Sequence, residues 1–210
     1  MIRLIIADDH TLVRKGLKQL ILESPDISVV DEAKDGREVI KKLETSQYDM
    51  VLMDISLPGR SGLDVLKQIK EFKPDLPVLM LSMHPEEQYA VRSIRAGASG
   101  YLTKESAPAE LLSAIHKVAA GGKYITSTLA EKLAVEIERK TDAVLHETLS
   151  DREYQILCMM ASGKTVKEVA EILSLSVKTI STHRAHILQK MGMKNNAQLT
   201  HYAIKHGLVD

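Results

Sequence analysis

The sequence predicts an α/β fold, a five-stranded doubly wound parallel sheet, joined to a second, all-α domain. Two observations carry this reading. Over the first 120 residues, five short apolar runs alternate with amphipathic helical stretches, and from Leu149 onward helical patterning continues without any strand signal. Uninterrupted apolar runs are what strands covered on both faces require, and their alternation with helices implies right-handed parallel crossovers. Periodicity does not reveal the order of the strands. A chain of 210 residues suits one large and one small compact unit.

The expected strands are Ile2–Ala7, Ile27–Val30, Met50–Met53, Val78–Leu81 and the brief Gly100–Leu102, and helical stretches lie near 12–23, 37–46, 62–71, 86–97 and 108–120. Punctuation supports these limits. Pro77 opens a strand, Pro85 and Pro108 suit first helical turns, and Gly97 suits a helix C-cap. Beyond Gly121-Gly122 a polar helix is expected over Leu129–Lys140, followed by the weakly patterned Thr141–Thr148. The expected domains are therefore 1–120 and 148–210, with a partly helical linker over 121–147. Ser150 and Glu153 form a capping box at the start of the second domain, with Leu149 and Tyr154 placed as a hydrophobic staple.

Composition narrows the class. Hydrophobic content of 44% and charged content of 27% are ordinary for a globular protein. No apolar run approaches the roughly 20 residues that span a bilayer, and Met1-Ile2-Arg3 leads straight into a strand without a signal-peptide layout. No membrane partner is expected. The single cysteine, Cys158, excludes an internal disulfide framework, fits a reducing cytoplasm, and reads as core. Met50, Met53, Met80, Met83, Met159 and Met160 read as packing. The zero net charge hides a split: residues 149–210 hold 8 Lys/Arg against 5 Asp/Glu, and the remainder is correspondingly acidic. With no Trp and one Phe, the chain lacks the aromatic platforms of single-strand binding, so a nucleic-acid partner would be a duplex.

Three carboxylates end two of the expected strands: Asp8 and Asp9 after the first, Asp54 after the third. In an open parallel sheet, ligands bind beyond the carboxyl ends of the strands. Acids are common there as plain surface groups. Brought together, however, they repel unless a cation sits between them, and a hard, oxygen-preferring ion such as Mg²⁺ is the natural candidate. Ser82 ends the fourth run and Lys104 follows the fifth, so a hydroxyl and an ammonium reach the same edge. That combination makes sense if a phosphoryl group appears among the acids, because phosphoryl transfer needs positioning and charge neutralisation, and a carboxylate can accept phosphate directly.

In the second domain, Val166, Val169, Ala170 and Leu173 mark one face of a short helix. Leu173-Ser174-Leu175-Ser176 supplies a tight turn, with Ser176 a good N-cap. The next helix starts at Val177 and should bury Ile180, Ile187, Leu188 and Met191. Ser181, Thr182, Ala185 and Gln189 then face outward, flanked by Lys178, Arg184, Lys190 and Lys194, and no acid interrupts 172–209. A helical bundle with a solvated basic face accounts for this pattern. So does a helix-turn-helix whose second helix enters a major groove. His183 and His186 on that helix fit DNA contact or simple exposure equally.

The ordered words of the sequence carry a resemblance. Ile5-Ile6-Ala7-Asp8-Asp9-His10, Leu52-Met53-Asp54-Ile55-Ser56-Leu57-Pro58-Gly59-Arg60-Ser61-Gly62, Leu81-Ser82 and Gly100-Tyr101-Leu102-Thr103-Lys104 resemble a receiver domain of flavodoxin-like fold over residues 1 to about 120. Leu149-Ser150-Asp151-Arg152-Glu153, Glu168-Val169-Ala170, Ser176-Val177-Lys178-Thr179-Ile180-Ser181-Thr182-His183 and Ile187-Leu188-Gln189-Lys190-Met191 resemble a LuxR-type DNA-binding domain over about 148–210. Together the chain is similar to NarL/FixJ-class response regulators.

The resemblance implies a switch rather than an enzyme. Asp54 accepts phosphate from a sensor histidine kinase; Asp9 and Asp54, with the Ser56 carbonyl, hold Mg²⁺, and Asp8 assists. Lys104 contacts the phosphoryl oxygens, Ser82 moves to bond them, and Tyr101 turns inward behind it. The motif runs over 165–184. Lys178, Thr179, Ser181, Thr182, His183, Arg184, Ala185 and Lys190 are the expected DNA-contact positions. The last helix, about Ala197–His206, resembles the family's dimer helix, which implies a homodimer on two promoter half-sites. Ser82 replaces the commoner threonine, Leu57 the commoner methionine, and Glu105 stands where many receivers have proline.

Two other classes fit parts of the pattern. Phosphatases of the haloacid-dehalogenase type use a strand-end aspartate but place a second acid two residues on, where this chain has Ser56. A regulator acting through protein contacts alone would need no duplex affinity.

Overall fold

The computed structural model describes residues 1–83, 86–138 and 145–209. Two compact units emerge, Met1–Leu133 and Ala134–Asp210, each described by itself. The role expected of Pro85, the last two residues of the expected linker helix, and 141–144 lie outside the described residues.

The first unit alternates β1 (Ile2–Ala7), α1 (Thr11–Ile21), β2 (Ile27–Ala33), α2 (Gly36–Thr45), β3 (Met50–Asp54), α3 (Gly62–Phe72), β4 (Val78–Ser82), α4 (Glu86–Arg95), β5 (Gly100–Thr103) and α5 (Ala107–Ala119). The strands form one parallel sheet in the order β2-β1-β3-β4-β5. Side chains alternate across it. Leu4, Ile6, Leu52, Leu79, Leu81 and Leu102 pack with Leu17, Ile21, Leu111 and Ile115 of α1 and α5. Ile5, Ala7, Val51, Met53, Val78 and Met80 are buried between them in sequence, so both faces of the sheet are covered. β3 and β4 are buried at every position, as their apolar runs require.

β2 runs three residues past its expected end, through Asp31-Glu32-Ala33. It is an edge strand, where polar side chains reach water and partners. Arg14 Nε and Lys18 Nζ bond Glu32 at 2.8 and 2.6 Å, while Lys42 Nζ and the Tyr48 hydroxyl each bond Asp31 at 2.6 Å. Pro108 sits in the first turn of α5, and Gly97, at φ +99°, ends α4 as expected. Met83 differs from expectation: it is 75% exposed, because the chain leaves the sheet after Ser82.

The segment after α5 folds back over the β5 edge. Tyr124 bridges Gly100 and donates its hydroxyl to Glu110 at 2.8 Å. The Thr126 hydroxyl bonds Glu86 at 2.6 Å and accepts the Leu129 N–H of α6 (Ser127–Glu138) at 3.2 Å.

The second unit contains a short 3₁₀ turn (Leu145–Thr148), α7 (Asp151–Ala161), α8 (Val166–Ile172), α9 (Val177–Lys190) and α10 (Asn196–Lys205). The Ser150–Glu153 capping box forms, and a second, Thr165–Glu168, opens α8. Leu149 and Tyr154 are both buried, as is Cys158. Ile180, Ile187 and Met191 lie in the core with Val169, Leu173 and Leu199, whereas Leu188 is only partly covered. Its position falls at the edge of the α9 apolar stripe.

Ser174, between α8 and α9, has φ +52°. A side chain in the left-handed region costs about 1–2 kcal/mol, against about 0.5–1 kcal/mol of extra chain entropy for glycine. Ser174→Gly is therefore expected to stabilise this unit by about 0.5–1 kcal/mol, read as a higher unfolding midpoint. A lower midpoint would show that the serine hydroxyl contributes more than its backbone costs.

Candidate functional site

Three strand ends build an acidic pocket. Asp8 follows β1, Asp54 closes β3, and Lys104 follows β5, its backbone N–H held by the Ser82 carbonyl at 2.7 Å. Parallel registry sets Met53 of β3 beside Ala7 and Asp54 beside Leu81, so these ends lie level. Asp8 and Asp54 are 0% and 1% exposed. Lys104 Nζ lies 2.6 Å from Asp8 Oδ2 and 2.9 Å from Asp54 Oδ2.

Burial pushes the Asp54 carboxyl up from the usual carboxylate range; the Lys104 ammonium opposes that shift, Asp8 adds to it, and the Ser56 backbone N–H counters it. At Lys104 burial disfavours the charge, yet the Asp54 and Asp8 carboxylates hold the ammonium above its ordinary value. Asp54 Oδ1 is buried with no hydrogen-bond partner. One ligand atom from each of Asp8, Asp9, His10 and Asp54 lies within 4.8 Å of the others. This donor set, mostly hard carboxylate oxygen and including the bare, buried Asp54 Oδ1, fits a hard divalent cation.

Ser82 is fully buried at the end of β4, and Tyr101, on the neighbouring β5, is fully buried as well. Ser56 is partly covered in the loop leaving Asp54. Two residues of this pocket are not singled out by the sequence. His10 reaches Asp9, and its only signal in the sequence is adjacency to Asp8-Asp9. Gly62 packs so tightly on the Asp54 carbonyl that a Cβ would stand 2.2 Å from it; nothing local in the sequence announces that contact.

On α9 an exposed stripe carries Lys178, Ser181, Thr182, Ala185 and Gln189. The Ser181 and Thr182 hydroxyls bond back to the Val177 and Lys178 carbonyls at 2.9 and 3.0 Å. Thr179 is partly covered and shares a 2.8 Å hydrogen bond with Ser176, the N-cap. Three expected contact residues sit differently. His183 lies on the inward shoulder, where burial holds its imidazole below the ordinary value. Arg184 Nε bonds Asn196 of α10 at 2.7 Å, and Lys190 Nζ bonds Glu153 of α7 at 2.6 Å. Among the described residues, no helix is long and apolar enough to cross a membrane.

Comparison with known proteins agrees with both halves. Residues 4–116 match the response regulator receiver domain family, and residues 147–203 match the luxR family of bacterial regulatory proteins. The response regulator UvrY of Escherichia coli K12 is 39% identical over 99% of this chain and 96% of its own length. The oxygen regulatory protein NreC of Staphylococcus carnosus is 38% identical over 99% of each chain. A structure of RcsB from Salmonella enterica serovar Typhimurium, bound to promoter rprA with the phosphomimetic BeF₃⁻, superposes with a TM-score of 0.66 at 27% identity, covering 96% of this chain and 97% of that one. With a receiver fold, a helix-turn-helix fold and full-length relatives of the same build, the chain belongs to the NarL/FixJ class of two-component response regulators, in which a receiver domain is joined to a LuxR-type DNA-binding domain.

Proposed function

We propose that Asp54 is the phosphoacceptor and that its phosphorylation controls dimerisation and duplex DNA binding by the LuxR-type domain. The bare, buried Oδ1 of Asp54, beside a lysine already bonded to the same carboxylate, carries this reading. Oδ1 bonds the phosphorus of a kinase phosphohistidine as the P–N bond breaks, and that electron pair returns to the imidazole nitrogen. Asp8, Asp9, Asp54 and the Ser56 carbonyl are the groups that would hold Mg²⁺. When bound, Mg²⁺ supplies neutralisation of the charge on the phosphoryl oxygens.

Lys104 exchanges its carboxylate partners for a phosphoryl oxygen, and Ser82 supplies a hydroxyl from the adjacent strand. Tyr101 turns inward to fill the space behind it. The added group brings about −1.5 to −2 charges into a pocket balanced by one ammonium, which biases the surrounding loops between two arrangements.

In the second unit, Lys178, Thr179, Ser181, Thr182 and Ala185 face the major groove, and Arg184 and Lys190 turn to phosphates once released from Asn196 and Glu153. His183 supports α9 from within. The RcsB complexes, which include two dimers bound to two parallel DNAs, support two copies reading two half-sites. The reading carries with it a sensor histidine kinase as donor and a cytoplasmic location.

Incubation with acetyl phosphate and Mg²⁺ tests both halves. The protein is expected to gain one phosphoryl group by intact mass, and Asp54→Ala none. Duplex affinity is expected to rise on phosphorylation and to fall steeply with salt, because phosphate contacts release counterions. No incorporation overturns the phosphoacceptor reading. No duplex affinity at low salt overturns the DNA reading in favour of regulation through protein contacts.

A further inference from the structure

His10 occupies the N-cap of α1, a position that favours serine, threonine, aspartate or asparagine, and its side chain makes no capping bond there. The ring turns to the acids instead. Its Nδ1 stands 2.8 Å from Asp9 Oδ1 and 3.4 Å from Asp8 Oδ1, while its backbone N–H is fixed by Asp8 Oδ1 at 2.7 Å. The ring is 65% exposed, so packing does not dictate that direction. Its nitrogen belongs to the same 4.8 Å cluster as ligand atoms of Asp8, Asp9 and Asp54, and that cluster includes a buried carboxylate whose Oδ1 has no partner.

Carboxylate and carbonyl oxygens suit Mg²⁺, whereas an imidazole nitrogen raises affinity for first-row transition ions. We propose that His10 is a ligand of this pocket, so that the receiver binds Mn²⁺, Co²⁺ or Zn²⁺ through a nitrogen that Mg²⁺ does not need. The inference rests on the pocket being a cation site. It makes occupancy of the switch dependent on which divalent ions the cell supplies, because a transition ion held partly by His10 competes for the oxygens that Mg²⁺ would use. A histidine that merely pairs with Asp9 would leave metal preference unaltered.

The full chain loaded with Mn²⁺ alone is the probe. Pulsed electron paramagnetic resonance is expected to show coupling to an imidazole ¹⁴N in the wild type and none in His10→Asn, which restores a capping side chain at α1. In titrations with Co²⁺ and Mg²⁺, His10→Asn is expected to lower the Co²⁺-to-Mg²⁺ affinity ratio at least tenfold, since even outer-shell losses cost about ten- to a hundredfold. Seven other histidines offer nitrogen, so the coupling must also vanish in Asp54→Ala. Wild type without nitrogen coupling, coupling that survives either substitution, or an unchanged ratio overturns the role of His10 while leaving a Mg²⁺ site standing. Binding of neither Mg²⁺ nor Mn²⁺ overturns the cation pocket itself.

Discussion

Lys104→Ala is expected to lower the stability of the metal-free receiver by about 3–5 kcal/mol, and Mg²⁺ is expected to return much of that loss. Asp8 and Asp54 are buried, and the ammonium touches both at 2.6 and 2.9 Å. Removing it leaves two carboxylates facing one another out of water, and breaking a buried pair on one side costs far more than the pair itself contributes. A cation bound only by the folded state then stabilises it by about 2.7 kcal/mol at a hundred times its dissociation constant. Calorimetry in chelator and in millimolar Mg²⁺ separates the two effects. Wild type should respond less to Mg²⁺, because its lysine already answers part of the charge. A variant as stable as wild type in chelator would show that this lysine is not what balances the acids. A variant whose stability is the same in chelator and in millimolar Mg²⁺ would show that the pocket does not take the ion.

The parts of the molecule legible in its sequence are those decided by local pattern. β1, β3 and β4 are runs of apolar residues because both faces of the sheet are covered, and the polar residues at their ends, Asp8, Asp54 and Ser82, mark the carboxyl edge of the sheet. Hence the sequence alone places Asp8, Asp54, Ser82 and Lys104 at one edge, although it does not reveal the strand order. In sequence Asp31 and Glu32 look like a loop that would end β2 early; only their partners on α1 and α2, far along the chain, make them strand residues. The same limit applies to α9. Its outward stripe follows from helical spacing, but the anchoring of Arg184 to Asn196 and Lys190 to Glu153 depends on α10 and α7 packing beside it. Contacts made by long side chains across elements leave no periodic trace.

Gly62→Ala is expected to destabilise the receiver by about 2–3 kcal/mol and to slow phosphate uptake by roughly a hundredfold. Gly62 opens α3, and its N–H bonds the Ile55 carbonyl at 2.7 Å. A Cβ there would stand 2.2 Å from the Asp54 carbonyl oxygen and 2.9 Å from the Ile55 Cα. Both are backbone atoms, so the clash cannot be relieved by a rotamer change. Either α3 retreats from the sheet or the Asp54 peptide shifts, and an ångström of misplacement at a reacting group costs about a hundredfold in rate. Two other glycines isolate the cause. Gly59, three residues earlier, has open space around a built Cβ but a φ of +76°, so Gly59→Ala should cost stability by strain of about 1–2 kcal/mol. Gly16 lies inside α1 with open space and ordinary φ, so Gly16→Ala should stabilise by up to about 1 kcal/mol. If Gly62→Ala unfolded like Gly59→Ala and took phosphate at the parental rate, the close seat of α3 on the Asp54 carbonyl would not be what aims that carboxylate. If it kept its stability but lost phosphate uptake, the seat would serve orientation alone.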